Sequence, residues 1–294
     1  MIEVSTTKLN PNVIPHLHVW GWEVPIYLFL GGLSAGLLII ASVILLTKKD
    51  AVESKTVRLA SLLSPLVLSL GMVFLFLDLA NKLNVWRFYT AFIPTSPMSW
   101  GSWLLVIFMP FSFAQALILY KEYSSKFPII SSLVEKFEGK LFFIAKVNVF
   151  MGVAVGAYTG ILLSSLFARP LWSNSALGLV FLLSGLSAAA ALLLLLAPEE
   201  EKHLYSKYDF TFIVVEVFAI ALLIIGALNG TVNTNDAMMF LLTGPYATSF
   251  WIVTIGLGIL VPLLFEGLEV LGKIKYLPLI PLLVLIGSLS LRFI

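Results

Sequence analysis

The sequence predicts an all-α integral membrane protein, with eight transmembrane helices arranged in two four-helix bundles. Of its 294 residues, 60% are hydrophobic and only 12% are charged, whereas soluble domains carry about 25% charged residues. The charged residues form short clusters between apolar runs of about 20 residues, the length that crosses a membrane as a helix. Most of these runs also lack the polar stripe at helical spacing that is typical of helices on the surface of soluble proteins.

The apolar runs predict where each helix lies. The third and the eighth run are short, so their ends are the least sharply defined. The predicted helices occupy residues 24–47, 59–81, 102–120, 141–167, 176–196, 210–228, 250–272 and 277–292.

Because the number of helices is even, both chain termini are predicted on one side of the membrane. The loops on that side contain few basic residues, namely Lys8, Lys82, Arg87, Arg169 and Arg292. The opposite loops contain many more, namely Lys48, Lys49, Lys55, Arg58, Lys121, Lys126, Lys136, Lys140, Lys202, Lys207, Lys273 and Lys275. An excess of Lys and Arg marks the cytoplasmic side. We therefore predict a multi-pass protein of the cytoplasmic membrane, with both termini on the outer, periplasmic side.

The chain is predicted to have three parts. The sequence GLSA occurs at residues 32–35 and again at 185–188, in the first and fifth predicted helices. A parallel duplication of a four-helix unit explains this repeat, and so does the preference for small residues where helices approach closely. The predicted parts are an outer N-terminal segment at 1–23, a first bundle with the functional site at 24–167, and a second bundle at 168–294.

The composition excludes several kinds of site. The chain has no cysteine, so it holds neither a disulfide nor a cysteine-ligated iron–sulfur cluster. Its histidines are His16, His18 and His203; none lies within an apolar run, as the two axial ligands of a membrane haem would. The net charge of +2 gives no indication of nucleic-acid binding. Residues 1–15 lack the pattern of a cleavable signal peptide, and no metal site is predicted.

The tryptophans lie on one side of the predicted membrane protein. An interfacial belt explains tryptophans at a membrane surface, but such a belt occupies both interfaces. The one-sided distribution therefore favours a binding or docking surface outside. The seven residues are Trp20, Trp22, Trp86, Trp100, Trp103, Trp172 and Trp251.

Polar side chains from the first four helices are predicted to meet near the outer surface. Tyr27 begins the first helix, Asp78 lies near the end of the second, and Tyr158 and Arg169 lie near the end of the fourth. The loop at 94–103 enters the third helix on the same side. A quinone requires an apolar slot with a donor or acceptor near each ring oxygen, and an acid that exchanges protons. We therefore predict a quinone site, with Asp78 and Tyr158 as catalytic residues and Tyr27 and Arg169 as binding residues.

His18 and Trp22, at the mouth of the first helix, complete the predicted quinone-binding set. Each assignment has a simpler alternative. Asp78 can be a helix-end carboxylate that pairs with Lys82 or Arg87, and Tyr158 can be a core tyrosine whose hydroxyl is satisfied. A histidine in a loop can simply be solvated.

A second group of ionisable residues is predicted closer to the cytoplasm. Lys146 lies in the fourth helix, Glu216 in the sixth and Glu266 in the seventh. Ionisable residues inside a membrane are costly, so each is a candidate for function. Lys146 can form a structural ion pair with Glu216 or Glu266 between the bundles, or the three residues can belong to a proton path from the cytoplasm toward the quinone.

Four stretches together resemble the NrfD/PsrC family, the membrane subunits of polysulfide reductase and related complexes. These stretches are WGWEVPIYLFLGGLSAG at 20–36, the acid Asp78, PTSPMSWGSW at 94–103, and the YTG and RPLW motifs within 158–172. The resemblance implies eight helices in two bundles and a menaquinone or ubiquinone bound near the outer face. It also implies an iron–sulfur subunit as partner, together with a molybdopterin catalytic subunit or a hydrogenase.

The same resemblance implies roles for individual residues. Tyr158 stands at the position of a quinone-contacting tyrosine. Tyr27 stands where the polysulfide reductase type has a quinone-contacting histidine, and Asp78 replaces a glutamate at the end of the second helix. The chain therefore departs from the family pattern at the headgroup contact and has a shorter acid.

The predicted function is a quinone-reactive membrane anchor of a respiratory oxidoreductase, similar to a sulfur or polysulfide reductase. It passes electrons between the membrane quinone pool and an outside iron–sulfur subunit, and it does not act alone on the terminal substrate. The alternative is a secondary transporter or a proton-translocating subunit without quinone; against it, the polar groups gather at the helix ends rather than at a broken mid-membrane helix. A purely structural anchor is the third interpretation.

Overall fold

The computed structural model describes residues 21–124, 128–166 and 169–294, and within these ranges it is helical and contains no strand. His16, His18 and Trp20 lie outside the described residues. Eight long helices account for most of the fold. They are α1 (Glu23–Thr47), α2 (Lys55–Asp78), α3 (Pro97–Leu119), α4 (Leu141–Ser164), α5 (Leu177–Leu196), α6 (Glu199–Leu228), α7 (Ser249–Val270) and α8 (Leu279–Phe293).

The helices confirm an integral membrane protein with about eight spans. Helices α1 to α7 are each long and apolar enough to cross a membrane, and α8 is shorter, with 15 residues. The first half of α7, Ser249–Leu260, has π-helical hydrogen bonding. Short helices also lie in the connections, at Lys49–Val52, Lys82–Asn84, Arg87–Thr90, Lys121–Ser124, Pro128–Glu138 and Val232–Thr243.

The helices pack in two closed rings. In the first ring α1 packs on α2, α2 on α3, α3 on α4, and α4 on α1; in the second ring α5, α6, α7 and α8 follow the same order. Helices α1 and α5 are the most buried of the spans and form the main contact between the rings. The domain limits at 24–167 and 168–294 stay a prediction.

The repeated GLSA sequence lies at the contact between α1 and α5. A Cβ added to Gly185 would come within 2.7 Å of the carbonyl oxygen of Gly32, and one added to Gly36 would come within 2.7 Å of the Ala189 Cβ. The backbones therefore meet at glycine, as expected of small residues at a membrane helix crossing. The serines of the two repeats point to their own rings, because Ser34 bonds Ser64 of α2 and Ser187 bonds Asp209 of α6.

Each ring contains a buried polar cluster. In the first ring, Gln115 of α3 accepts hydrogen bonds from Ser42 at 3.0 Å and Asn148 at 2.8 Å, and donates to Ser61 at 2.9 Å. All four helices of that ring are thus joined at one side chain. In apolar surroundings such bonds fix the register of the helices, because each partner would otherwise be left unpaired.

The position of Arg292 differs from the sequence prediction, which placed this residue in an outer loop. Helix α8 continues to Phe293, and Arg292 is only 6% exposed. The buried guanidinium is tolerated there because Ser184, Ser288 and the Phe181 carbonyl accept its hydrogen bonds.

Candidate functional site

A cavity of about 200 Å³ lies between the first four helices, at the end where α1 begins and α2 ends, which is the predicted outer side. Most of its wall is apolar and comes from residues such as Leu28, Met72 and Leu105. Tyr27, Asp78 and Tyr158 line the same cavity. The structure therefore brings together three residues that are far apart in the sequence and that were predicted to share a site.

Two tyrosines face the cavity from neighbouring helices. Tyr27 lies in the first turn or so of α1 and Tyr158 in the last third of α4, and both side chains are buried. Gly101 of α3 makes room for Tyr158, because a Cβ at that glycine would overlap the Tyr158 hydroxyl and the ring carbon that carries it. The position of the Tyr158 hydroxyl thus depends on a residue without a side chain in the PMSWGSW stretch.

Asp78 has two neighbours of different kinds. One carboxylate oxygen accepts a hydrogen bond from the Gly21 N–H at 3.1 Å, which ties the end of α2 to the residues just before α1. The side chain also lines the cavity. Neither Lys82 nor Arg87 forms a salt bridge with Asp78 among the described residues, so this carboxylate is partnered by a backbone amide instead.

The connection between α2 and α3 covers the cavity. Leu79, Val85, Phe88 and Tyr89 of this connection are lining residues. Burial raises the pKa of the Tyr89 hydroxyl above the usual range of tyrosine, and a tyrosine hydroxyl is in any case protonated at neutral pH and able to donate a hydrogen bond. The sequence analysis did not select Tyr89. The feature that could have identified it is its place as an aromatic residue in the long outer connection that follows Asp78.

The PTSPMSWGSW motif holds that connection in place. The Ser99 hydroxyl accepts from the Ile93 N–H at 2.9 Å and donates to the Ala91 carbonyl at 3.2 Å. The Trp100 indole donates to the Pro94 carbonyl at 2.7 Å. These bonds satisfy backbone groups of the connection just before α3, and they fold the connection back over the cavity.

Two other predicted binding residues do not line this cavity. Trp22 is 57% exposed and packs edge-on against Phe74, with ring centroids 5.9 Å apart. Arg169 is exposed, and its guanidinium carbon lies 5.8 Å from the centre of the Trp172 ring. His18 lies outside the described residues. The group at the cavity therefore consists of Tyr27, Asp78 and Tyr158, with Tyr89 added.

The deeper group is also brought together only in part. Glu216 and Glu266 are buried in the second ring, and the buried Asp209, which sequence reasoning missed, lies between them. Asp209 accepts a hydrogen bond from the Ser187 hydroxyl at 2.7 Å and interacts electrostatically with both Glu216 and Glu266. Neither carboxyl oxygen of Glu266 has a hydrogen-bond partner among the described residues. The second ring therefore contains three neighbouring buried acids.

Lys146 is separate from these acids. It is exposed on α4, a helix that packs against α1, α3 and α5. The predicted ion pair between Lys146 and either glutamate is absent from the salt bridges among the described residues. The counter-charge near Glu216 is instead Arg292. Its position near the last residue of the sequence predicts a loop residue rather than a buried one.

Comparison with known proteins agrees with this architecture. The family model for NrfD, polysulphide reductase, matches residues 9–294. The C subunit of the polysulfide reductase of Wolinella succinogenes is 30% identical, over 94% of this chain and 92% of that protein. The NrfD homolog of Haemophilus influenzae is 29% identical over 96% and 94% of the two proteins, and NrfD of Escherichia coli is 27% identical over 84% of each. The chain is thus an integral membrane protein that belongs to the NrfD family of polysulfide reductase membrane subunits.

Proposed function

We propose that this chain is the quinone-reactive membrane subunit of a respiratory oxidoreductase complex. The observation that carries the proposal is the apolar cavity at the predicted outer ends of α1 to α4, with Tyr27, Asp78 and Tyr158 in its wall. The family and the polysulfide reductase relative support the same assignment. In this role the chain connects the membrane quinone pool to an electron-transfer partner and does not act on the terminal substrate.

The residues fit a menaquinone or ubiquinone. Such a molecule has a flat ring with two carbonyl oxygens and an apolar tail, and when bound it supplies the transfer of two electrons and two protons. Leu28, Met72 and Leu105 offer apolar contact to a ring, and burial of that area provides most of the binding free energy. The hydroxyls of Tyr27 and Tyr158 are placed to orient a carbonyl oxygen, as polar groups do in an apolar site.

Asp78 is the proposed proton-exchange group at the outer end. Its carboxylate reaches the cavity while its backbone partner at Gly21 keeps it in position. A proton held at a carboxylate oxygen of Asp78 can pass to a neighbouring acceptor or to outside water. Asp78 therefore has two proposed roles, a structural hydrogen bond with Gly21 and proton exchange at the cavity. Substitutions can separate the two roles.

The second proposed element is a proton path from the cytoplasmic side. Glu266 and Asp209 form the inner group, and Glu216 lies seven residues farther along α6, about 10 Å at the helical rise. The exposed Lys146 lies apart from them. The proposed path therefore includes Asp209 instead of Lys146. Intramembrane acids that face the interior of a bundle are typical of proton relays.

The proposed partner is an iron–sulfur subunit on the outer side, together with a molybdopterin catalytic subunit or a hydrogenase. The connection between α2 and α3 exposes large apolar side chains there, among them Leu83, Trp86, Phe92 and Ile93. Exposed apolar groups in a connection at a membrane surface fit a docked partner. Membrane lipid covers the exposed apolar faces of the helices.

The test is quinone binding by the complex purified with its native partners. We expect quinone to copurify with the wild type, and Tyr158→Phe to weaken the binding of a quinol analogue about tenfold, the effect of one lost hydrogen bond of about 1.4 kcal/mol. Tyr208→Phe is the matched control, because Tyr208 packs between Tyr205 and Phe212 in α6, far from the cavity. Equal binding by all three proteins would refute the site.

Two substitutions separate the roles of Asp78. Asp78→Asn keeps an oxygen that accepts from Gly21 but cannot exchange a proton, so we expect an assembled complex with low quinone-linked turnover. Asp78→Ala removes both functions, and we expect weaker assembly as well. If Asp78→Asn retains full turnover, Asp78 is only a structural contact.

The buried acids of the second ring favour one other function, an ion-translocating subunit without quinone. In that case the complex contains no quinone and quinol analogues have no effect, whereas Glu266→Gln abolishes ion movement. A quinone recovered from the first cavity excludes this alternative.

A further inference from the structure

A second cavity, of about 210 Å³, lies beside the first one at the predicted outer side. Helices α1, α5, α6 and α8 contribute to its wall. Val24, Leu28 and Leu163 line both cavities, so one layer of side chains separates two spaces of similar volume. None of the described residues that the sequence selected as a quinone contact lines the second cavity.

The second cavity suits an apolar molecule. Leu177, Val180, Leu223 and Leu291 form part of its wall, and Trp172 adds an aromatic face. Cavities lined by such side chains hold water poorly and accept apolar ligands. The occupant expected from the wall is therefore a molecule that enters from the membrane rather than from water.

One polar group in this cavity lacks a partner. The Arg292 side chain lines the cavity, and its two terminal nitrogens donate to Ser288, Ser184 and the Phe181 carbonyl at 2.5 to 3.3 Å. The third nitrogen, Nε, is buried and has no hydrogen-bond partner among the described residues. A buried donor left unpaired costs free energy, so an acceptor oxygen brought to Nε from the cavity would recover that cost.

The charge of Arg292 decides which acceptor fits. The buried Glu216 interacts electrostatically with Arg292, so the positive charge already has a counter-charge. An anionic headgroup would add an uncompensated negative charge in a medium that solvates ions poorly. A carbonyl oxygen provides the acceptor without adding charge.

We propose that the second cavity binds a second quinone-class molecule, with a ring carbonyl oxygen facing Nε of Arg292 and its ring beside Val24 and Leu28. This inference rests on the proposed function, because it takes its ligand from the same membrane pool. Two adjacent sites allow one molecule to stay bound while the other exchanges with the membrane.

The experiment counts quinone per chain in the complex purified with its partners and saturated with menaquinone in vesicles. We expect two molecules in the wild type. The double variant Leu177→Phe with Leu291→Phe fills the second cavity and leaves one molecule. Gly101→Leu fills the space of the Tyr158 hydroxyl in the first cavity and also leaves one. The molecule retained by each variant shows that the protein is folded.

The outcomes distinguish the two proposals. One molecule in both the wild type and the Leu177/Leu291 variant overturns the second site and leaves the first intact. A full count in Gly101→Leu overturns the proposed function at the first site instead. Recovery of a phospholipid or fatty acid in place of the second quinone also overturns the inference.

A photoreactive azidoquinone gives a test that needs no substitution. We expect two separate sets of labelled peptides, one from the Tyr158 region of α4 and one from the Leu291 region of α8. Labelling of the first set alone overturns the second site.

Discussion

The contact between Gly101 and Tyr158 provides a sharp test of the first cavity. A methyl group in Gly101→Ala would overlap the Tyr158 hydroxyl and two of its ring carbons, so the ring must move. A hydrogen bond is lost when the donor and acceptor separate by about 1 Å more than the usual 2.8 Å. The substitution should therefore remove the Tyr158 contact although Tyr158 itself is unchanged.

Two free energies determine the size of the effect. Loss of one hydrogen bond weakens binding of a quinol analogue by about 0.5–1.5 kcal/mol, or about twofold to tenfold. Overpacking costs about 1–3 kcal/mol of stability, and the change from glycine to alanine in a helix returns about 1 kcal/mol. We therefore expect a folded protein with a small loss of stability and a clear loss of affinity.

The assay is the dissociation constant of a quinol analogue for the purified complex, measured beside Gly31→Ala. A Cβ at Gly31 of α1 meets only the Thr159 methyl at 3.8 Å, an ordinary contact, so this control should bind like the wild type. The double variant Gly101→Ala with Tyr158→Phe should be no weaker than Tyr158→Phe by more than about 0.5 kcal/mol, because both changes remove one contact. Wild-type affinity in Gly101→Ala, or full additivity in the double variant, would refute the reasoning.

Three further predictions concern the rings and the buried acids. Gln115→Leu leaves Ser42, Ser61 and Asn148 without their shared partner and should lower the free energy of unfolding by about 1–3 kcal/mol; an unchanged thermal midpoint would contradict this. Gly185→Leu separates α1 from α5 and should prevent stable folding, which size-exclusion chromatography in detergent detects. Glu266→Gln should abolish quinone-linked proton movement across vesicle membranes while electron transfer to an artificial acceptor continues, whereas Glu135→Gln, at an exposed residue, should change neither.

Helix positions followed closely from the sequence, and their differences have simple reasons. The apolar run at 210–228 marks only the membrane part of α6, which begins at Glu199, because its first turns are polar and hydropathy does not report them. Likewise α3 begins at Pro97 rather than 102, since the proline at the first helical position and residues 98–101, which include a serine and a glycine, lie before the apolar run.

The burial of two charged residues, Asp209 and Arg292, could not be predicted from the sequence. Asp209 lies just before an apolar run, which is also where a solvated residue at a membrane surface lies. Its burial follows from the packing of α6 against α5 and α7 and from its bond with Ser187. The position of Arg292 was equally ambiguous, because a residue there can lie in a loop or in a buried helix. Only the three-dimensional contact with Ser184 and Ser288 explains why a charge is tolerated there.

The sequence by itself predicted the membrane class, a set of about eight helices, and the group of Tyr27, Asp78 and Tyr158 at one end of the first four helices. These properties depend on hydropathy and on helix direction, which are local in the chain. Only the tertiary structure decided that Trp22, Arg169 and Lys146 point elsewhere, that Asp209 joins the glutamates, and that a second cavity lies beside the first. The reason is that these properties depend on the rotation of each helix about its axis, which is set by contacts between residues distant in the sequence.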